Sequence, residues 1–210
     1  MEILIKATIR TAIVFLMLLS VSAAKAQDYK TIQEAFASSY TLEKAEKYSA
    51  AVESLKKVYD ESSYELNVRL GWLSYMSGNF VESSTYYNRA IQLKPYSVEA
   101  RLGFVYPAAA LGNWELVINR YNEILKIDAG NYTANYRLGG IYYTRKDYAT
   151  AYKYFEKLVN MFPFDYDALH MFAWTNFQMG KLREAKVLFN KALMNHPGDA
   201  SSLEGLSLIK

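Results

Sequence analysis

Apolar and polar residues alternate along this chain with the three- and four-residue spacing that places the apolar positions on one face of an α-helix. Four segments share one spacing in particular: a large apolar residue is followed after 3, 7, 10 and 15 positions by further small, apolar or proline residues. With only 4 prolines among 210 residues, long stretches remain free to be helical. The segments begin at Phe80, Trp114, Tyr148 and Leu182, and their central aromatic positions are Tyr87, Tyr121, Phe155 and Phe189.

A short motif precedes each of these segments. Arg69-Leu70-Gly71 recurs as Arg101-Leu102-Gly103 and as Arg137-Leu138-Gly139, and Met171-Phe172-Ala173 stands in the fourth place. The interval between the first and second copies is two residues shorter than the interval between the third and fourth copies. The interval between the second and third copies is two residues longer than it. The second copy therefore lies two residues too far from the segment that follows it, and Pro107 falls in between. We expect two extra residues there, in a first helix that Pro107 kinks or cuts short.

Together the two patterns resemble the tetratricopeptide repeat family, whose unit of about 34 residues is a helix–turn–helix pair. The resemblance implies an all-α fold, a right-handed superhelix of about five helix-turn-helix repeats plus a C-terminal capping helix. It also implies that Gly71, Gly103, Gly139 and Ala173 lie where the two helices of a repeat cross. The repeats would occupy residues 30–63, 64–97, 98–131, 132–165 and 166–199, to within a few residues, and the capping helix 200–210.

By the same resemblance, the first helices of the repeats line a concave groove that binds a peptide or protein. The residues at its partner-facing positions are mostly aromatic here, and exposed aromatic side chains are typical of binding anchors. The alternative is that these rings pack on one another or on the neighbouring first helix. The predicted partner-binding residues are Trp72, Tyr75, Phe104, Tyr136, Tyr143, His170, Trp174 and Phe177.

Three arginines, Arg69, Arg101 and Arg137, form a ladder beside this groove. Their guanidinium groups could hold an acidic segment of the partner, because a guanidinium matches the geometry of a carboxylate. The alternative is that these arginines make structural hydrogen bonds next to the groove.

The N-terminal segment 1–26 has the order of a secretory signal peptide. Lys6 and Arg10 give a basic start, an apolar run follows at 12–21, and Ala24-Lys25-Ala26 is a small-x-small cleavage sequence. We expect cleavage after Ala26 and export, to a bacterial periplasm in the first instance. The apolar run is shorter than the roughly 20 residues that span a bilayer, so no membrane span is expected in the mature chain. An uncleaved N-terminal anchor and secretion from the cell are the alternatives.

Charge and composition exclude several classes of function. Of 24 basic and 21 acidic residues, the segment 1–26 holds three and one, so the mature chain is close to neutral and has no strong field for nucleic acid. The chain contains no cysteine, and its 2 histidines, His170 and His196, lie far apart in sequence. We therefore predict no catalytic residue, no metal site and no cofactor.

The sequence thus predicts a non-catalytic protein–protein interaction scaffold or adaptor in the cell envelope, which binds a peptide or protein segment along an aromatic groove. A homo-oligomeric scaffold, whose aromatic surface mediates self-association, is the alternative. An enzyme is not expected, because solenoid grooves are open and admit water.

Overall fold

A computed structural model of the chain describes residues 29–209, which consist of eleven α-helices joined by short turns, with no strand in that range. The predicted signal peptide at 1–26 lies outside the described residues, as does the last residue of the predicted capping helix. The predicted all-α fold of helical repeats is confirmed.

The described residues divide into two compact units, of which the first ends at Asp60. It contains α1 (Tyr29–Lys44) and α2 (Tyr48–Lys56), which pack against each other. The turn between them passes through Glu46, whose φ of 56° is left-handed. The buried residues of this pair are Ser39, Ala51, Val52 and Leu55.

The second unit, from Glu61 onward, consists of four helix pairs and one further helix. We number the pairs 1 to 4 and call their members the first and second helix. Every first helix has 13 residues and every second helix has 14. The pairs are α3 (Tyr64–Met76) with α4 (Phe80–Leu93), α5 (Val98–Ala110) with α6 (Trp114–Ile127), α7 (Tyr132–Thr144) with α8 (Tyr148–Met161), and α9 (Tyr166–Gln178) with α10 (Leu182–Asn195), followed by α11 (Ala200–Leu208).

Each first helix, and α11 as well, begins directly after a residue whose side chain accepts a hydrogen bond from the backbone N–H three positions later. Such N-caps satisfy a donor that the first turn of a helix leaves without an intrahelical acceptor. The interval between successive caps is the same every time, so the helix starts keep one period through the whole unit. The caps are Ser63, Ser97, Asn131, Asp165 and Asp199.

Measured from these caps, the Arg-Leu-Gly motif of α5 lies two positions early. Gly71 and Gly139 follow their caps by eight residues, whereas Gly103 follows its cap by six and Val105 holds the eighth position. The predicted equivalence of Gly103 with the other two glycines is therefore wrong. Identical tripeptides suggested it, but the start of the helix, and not the tripeptide, sets which way each side chain points.

The surroundings of the glycines show the difference. A Cβ on Gly71 would lie 2.9 Å from the ring of Tyr87 in the same pair, and one on Gly139 would lie 2.7 Å from the ring of Phe155 in its own pair. A Cβ on Gly103 would lie 2.1 Å from Tyr87, which belongs to the preceding pair. Gly103 therefore allows α5 to approach pair 1 closely and does not serve the crossing within pair 2.

Pro107 neither shortens its helix nor marks an insertion. The helix α5 has the same 13 residues as the other first helices and continues for three residues beyond the proline. The cost is one hydrogen bond, because proline has no N–H to donate to the carbonyl of Gly103. The expected two extra residues do not exist, since the interval between the caps Ser97 and Asn131 is the common one.

The helix α11 packs on pair 4 as the first helix of a further pair would. Its Gly205 is six residues beyond the cap, like Gly103, and a Cβ there would lie 2.3 Å from the ring of Phe189. Ser201 reaches pair 4 as well: its Oγ accepts a hydrogen bond of 3.0 Å from the indole N–H of Trp174 and lies 2.8 Å from Nε2 of His170. The C-terminal end of the unit is thus held by both packing and hydrogen bonds.

The two glycines in first helices that differ most in surroundings give a test of this register. Alanine favours a helix over glycine by about 1 kcal/mol. A Cβ on Gly140 meets no atom within 4 Å, so we expect Gly140→Ala to stabilise the protein by up to about that amount. Gly103→Ala should instead destabilise it by about 1–3 kcal/mol, because the buried ring of Tyr87 has to move. Urea unfolding followed by circular dichroism measures both, and a Gly103→Ala protein as stable as wild type would contradict the register.

The contact between α11 and pair 4 should depend on pH through His170. Burial lowers the pKa of His170 below its ordinary value, although Asp199 and Asp167 oppose the shift. Because the folded pKa is below the unfolded one, this group's contribution to stability is complete above the unfolded pKa of about 6.5 and is lost as the pH falls from there through the lower folded pKa. A proton on Nε2 would face the indole N–H of Trp174, which now donates to that nitrogen over 3.2 Å.

We therefore expect the melting temperature to be lower at pH 5 than at pH 7.5, and His170→Gln to reduce this difference. Asp199 does not titrate in this range: although burial opposes it, hydrogen bonds from Ser202 lower the pKa of Asp199 to about 2. An equal loss of melting temperature in wild type and His170→Gln would show that another group is responsible.

Candidate partner-binding groove

A groove of about 880 Å³ runs along the first helices of pairs 2 and 3 and reaches Tyr75 in pair 1 and Met171 in pair 4. Most of its lining comes from α5 and α7, among them Leu102, Tyr106 and Ile141. Val117 and Tyr121 of the second helix α6 also line it. The groove therefore extends between two first helices as far as the second helix of pair 2.

Three of the predicted partner-binding residues, Tyr75, Tyr136 and Tyr143, line this groove and are partly buried. Trp72 lies beside it, with its ring centroid 5.8 Å from that of Tyr75 and 6.1 Å from that of Tyr106. These three rings form one cluster at the end of the groove nearest pair 1, because Tyr75 and Tyr106 are also only 5.5 Å apart. The structure thus brings Trp72 and Tyr75 together, and Tyr136 and Tyr143 line the same groove. The contact of these four residues with a partner stays a prediction.

Phe104 does not lie in the groove, and its assignment as a partner-binding residue is wrong. Its side chain is only 2% exposed, and the guanidinium of Arg120 covers its ring at 4.5 Å. The cause is the two-residue shift of register in α5. Tyr106 occupies the position that Phe104 was expected to hold; it is 51% exposed and lines the groove. The sequence does contain the signal for Tyr106, since it follows the cap Ser97 by the same interval that separates Trp72 from Ser63.

The predicted partner-binding residues of pair 4 make hydrogen bonds and ring contacts with other residues of the same unit. Trp174 and His170 contact Ser201 of α11, and His170 also stacks on Tyr166 with centroids 5.5 Å apart. The ring of Phe177 packs edge-on against Trp174 at 5.5 Å. For these three residues the alternative, that the rings pack on one another and on neighbouring helices, is the arrangement observed.

The arginine ladder divides in the same way. Arg69 and Arg101 are each 8% exposed, which contradicts their assignment as contacts for an acidic segment. Arg101 donates hydrogen bonds of 3.1 Å to Glu123 and 2.9 Å to the carbonyl of Ser97, so its role is structural. Arg137 is exposed and lines the groove. Of the three predicted contacts, Arg137 alone is placed to meet a partner.

The electrostatic character of the groove comes from arginines and neutral tyrosines. Its charged lining residues are Arg137 and Arg145, and no carboxylate of the described residues lines it. Arg145 forms an exposed ion pair of 3.0 Å with Glu115. Burial raises the pKa of both Tyr121 and Tyr136 above the ordinary value, although Arg137 opposes the shift in each case. Both hydroxyls therefore remain protonated at neutral pH and can donate hydrogen bonds.

Within residues 29–209, no group of three or more histidine, aspartate or glutamate side chains is placed to hold a metal ion. None of the helices in that range is both long and apolar enough to cross a membrane.

Comparison with known proteins agrees with this geometry. Two sequence models of the tetratricopeptide repeat family match the chain, one over residues 107–166 and the other over residues 142–206. Among curated proteins, none matches the sequence.

Several solved structures share the fold. A tetratricopeptide repeat protein from Parabacteroides merdae is 22% identical, with a TM-score of 0.72 over 85% of this chain and 72% of its own. A crystal structure of MamA is 19% identical, with a TM-score of 0.68 over 81% of this chain and 94% of its own. The MamA RS-1 ArsTM double mutant is 14% identical, with a TM-score of 0.70 over 84% and 99% of the two chains. Sequence matches and shared fold agree: residues 107–206 match the tetratricopeptide repeat, and the described helices have the fold of proteins built from such repeats.

Proposed function

We propose that this protein is a non-catalytic interaction scaffold or adaptor of the cell envelope, and that it binds a segment of a partner protein along the groove of its first helices. Tetratricopeptide repeat proteins generally mediate protein–protein interactions. The observation that carries the proposal is the groove itself, about 880 Å³ in volume and lined by aromatic and aliphatic side chains. Concave, mostly apolar grooves with a few polar groups are the usual form of a binding site.

The chemistry of the lining favours binding over catalysis. Among its described residues there is no carboxylate, imidazole or thiol, so the groups that most often transfer protons near neutral pH are missing from it. Burial raises the pKa values of three of its tyrosine hydroxyls, those of Tyr121, Tyr136 and Tyr143. Such hydroxyls donate hydrogen bonds to a ligand but do not act as bases.

The envelope part of the proposal is supported by the N-terminal sequence. The basic start, the short apolar run and Ala24-Lys25-Ala26 together favour export and cleavage. A periplasmic scaffold would need neither disulfides nor a cofactor, which fits a chain without cysteine.

Self-association is the second candidate, and one observation favours it. Met194 at the end of α10, and Leu203 and Leu208 on α11, are 71%, 50% and 52% exposed at the C-terminal end of the array. An open solenoid end with apolar residues on its outer side can stack on another copy.

A photo-crosslinking amino acid in place of Tyr106 tests the groove directly. We expect it to form covalent products with a partner protein in intact cells, because Tyr106 is exposed within the groove. Tyr96 is the matched control, since it is an 84% exposed tyrosine in the turn before α5 and does not line the groove. Mass spectrometry of the products identifies the partner.

Two outcomes would count against the groove. Identical products from positions 106 and 96 would show that capture does not depend on it. Products that contain only a second copy of this chain would favour the self-associating scaffold.

Export predicts a defined N-terminus for the mature protein. We expect the protein from the envelope fraction to begin at Gln27, as measured by intact mass. Ala26→Arg should block this cleavage, because the site requires a small residue, whereas Lys25→Arg should leave it intact. Full-length protein that begins at Met1 in the wild type would contradict cleavage and favour an N-terminal anchor.

A further inference from the structure

The groove is not uniform along the array. Apart from Tyr75 and Met171, all its lining residues belong to pairs 2 and 3. It is therefore concentrated at the junction of these two pairs, which we call the 2–3 cleft. Four substitutions in the repeat pattern, each visible at a defined position after the cap, explain why the array opens at this junction.

The first substitution lies opposite the aromatic residue of the second helix. Where Tyr87 of pair 1 meets Gly103, Tyr121 of pair 2 is followed at the same position by Arg137. An arginine cannot allow the close approach that a glycine allows. Consistent with this, α6 packs less extensively on α7 than α4 packs on α5. Tyr121 consequently lines the cleft, whereas Tyr87 is covered by Gly103.

The second substitution lies at the crossing within pair 2. Pair 1 crosses at Gly71 and Ser83, where the serine hydroxyl donates a hydrogen bond of 2.6 Å to the glycine carbonyl. In pair 2 the corresponding residues are Val105 and Val117, and both line the groove. Two branched side chains hold α5 and α6 further apart than a glycine and a serine would.

The third substitution removes a ring from the wall of the cleft. The ninth position after the cap is aromatic in pairs 1, 2 and 4, as Trp72, Tyr106 and Trp174, but it is Gly140 in pair 3. A Cβ on Gly140 would meet no atom within 4 Å, so the space beside it is open. The cleft thus lacks one aromatic side chain of its own and can accept one from elsewhere.

The fourth substitution removes a hydrogen bond between neighbouring pairs. The hydroxyl of Tyr64 lies 2.7 Å from Oγ of the next cap, Ser97, and the hydroxyl of Tyr132 donates to the next cap, Asp165, over 2.5 Å. The corresponding residue of pair 2 is Val98, which has no hydroxyl for Asn131. The junction between pairs 2 and 3 therefore lacks a tie that both neighbouring junctions possess.

Charge indicates what the cleft accepts. Arg137 and Arg145 are the charged residues of its lining within the described chain, and Glu115 already pairs with Arg145. Arg137 stands next to Tyr121 and Tyr136, close enough to oppose the rise of their pKa values. A carboxylate placed here would meet the exposed guanidinium of Arg137.

We propose that the 2–3 cleft is the specificity subsite of the groove, and that it takes an acidic peptide segment in which a bulky apolar side chain lies next to a carboxylate. The apolar side chain fills the space beside Gly140, and the carboxylate binds Arg137. At about 880 Å³ the groove is within the range of pockets that enclose a ligand of a few residues. This inference rests on the proposed function, because it names the partner chemistry of the same groove.

Selection from a phage library of random dodecapeptides on the purified protein tests the subsite. We expect enriched peptides to contain tryptophan, phenylalanine or leucine within two residues of aspartate or glutamate. Their affinities, measured by fluorescence anisotropy with labelled synthetic copies, should fall about tenfold or more on Gly140→Trp, which fills the cleft, and on Arg137→Glu, which reverses its charge.

Two variants outside the groove provide matched controls. Val187→Trp adds the same ring at a 56% exposed position of α10, and Arg183→Glu makes the same charge reversal at another exposed arginine of that helix. Both should bind the selected peptides as wild type does. Circular dichroism melting of all four variants establishes that they are folded, which the open space beside Gly140 allows.

The outcomes separate the subsite from the proposed function. Peptides that bind Gly140→Trp as tightly as wild type, selected peptides rich in lysine and arginine, or a selection that enriches no sequence would each overturn the subsite. Crosslinks from position 106 to a partner protein would still support the scaffold in those cases. Absence of such crosslinks, with peptide binding at the cleft intact, would instead overturn the cellular role and leave the subsite standing.

Discussion

The ring of Tyr87 lies between Gly71 of its own pair and Gly103 of the next, and neither side has room for a Cβ. This contact joins three helices through a single side chain and fixes how closely α5 approaches pair 1. Phe189 repeats the arrangement on one side, where Gly205 brings α11 onto pair 4. The aromatic residue of the second helix thus closes a junction when a glycine faces it, and the junction between pairs 2 and 3, where Arg137 takes that place, remains open.

It follows that the binding surface depends on departures from the repeat pattern. A perfectly regular array would have the same groove at every junction and no preferred place for a ligand. In this chain, Val98, Val105, Arg137 and Gly140 depart from the pattern of their neighbours, and all four lie at one junction or face it. Each departure removes a contact that is found elsewhere in the array, and together they leave a cleft lined by groups that can interact with another molecule.

Much of the fold could be predicted from sequence, because the pattern of the second helices depends on local packing. The buried positions of these helices recur with fixed spacing, and Pro95, Pro163 and Pro197 each follow the end of a second helix by two residues. The register of the first helices is harder to predict from the sequence. Identical Arg-Leu-Gly tripeptides gave a false register in α5, which placed Phe104 in the groove and left out Tyr106. The N-cap residues indicate the correct register. They are serine, asparagine or aspartate, which accept the same hydrogen bond but do not recur as one residue type in a comparison of sequences.

The roles of His170 and Trp174 could not be predicted from the sequence pattern, for a different reason. Their surroundings depend on Ser201 of α11, at a position where the first helices of the four pairs have glutamate, threonine or aspartate. Periodicity can show that such a helix exists, but not which side chains of the last pair it engages. Arg101 is a related case, since its burial depends on Glu123 of the following helix.

The fixed interval between the caps also limits how this chain can change in length. One residue added inside a helix turns everything after it by about 100° around the helix axis, so the next cap would point away from its helix and every aromatic residue beyond would miss its partner. Insertions are therefore confined to the turns, while substitutions are tolerated almost anywhere that size and capping ability are kept. Proteins of this architecture can accordingly lose nearly all recognisable sequence similarity while their helices still superimpose, as the solved structures that are 14–22% identical to this chain do.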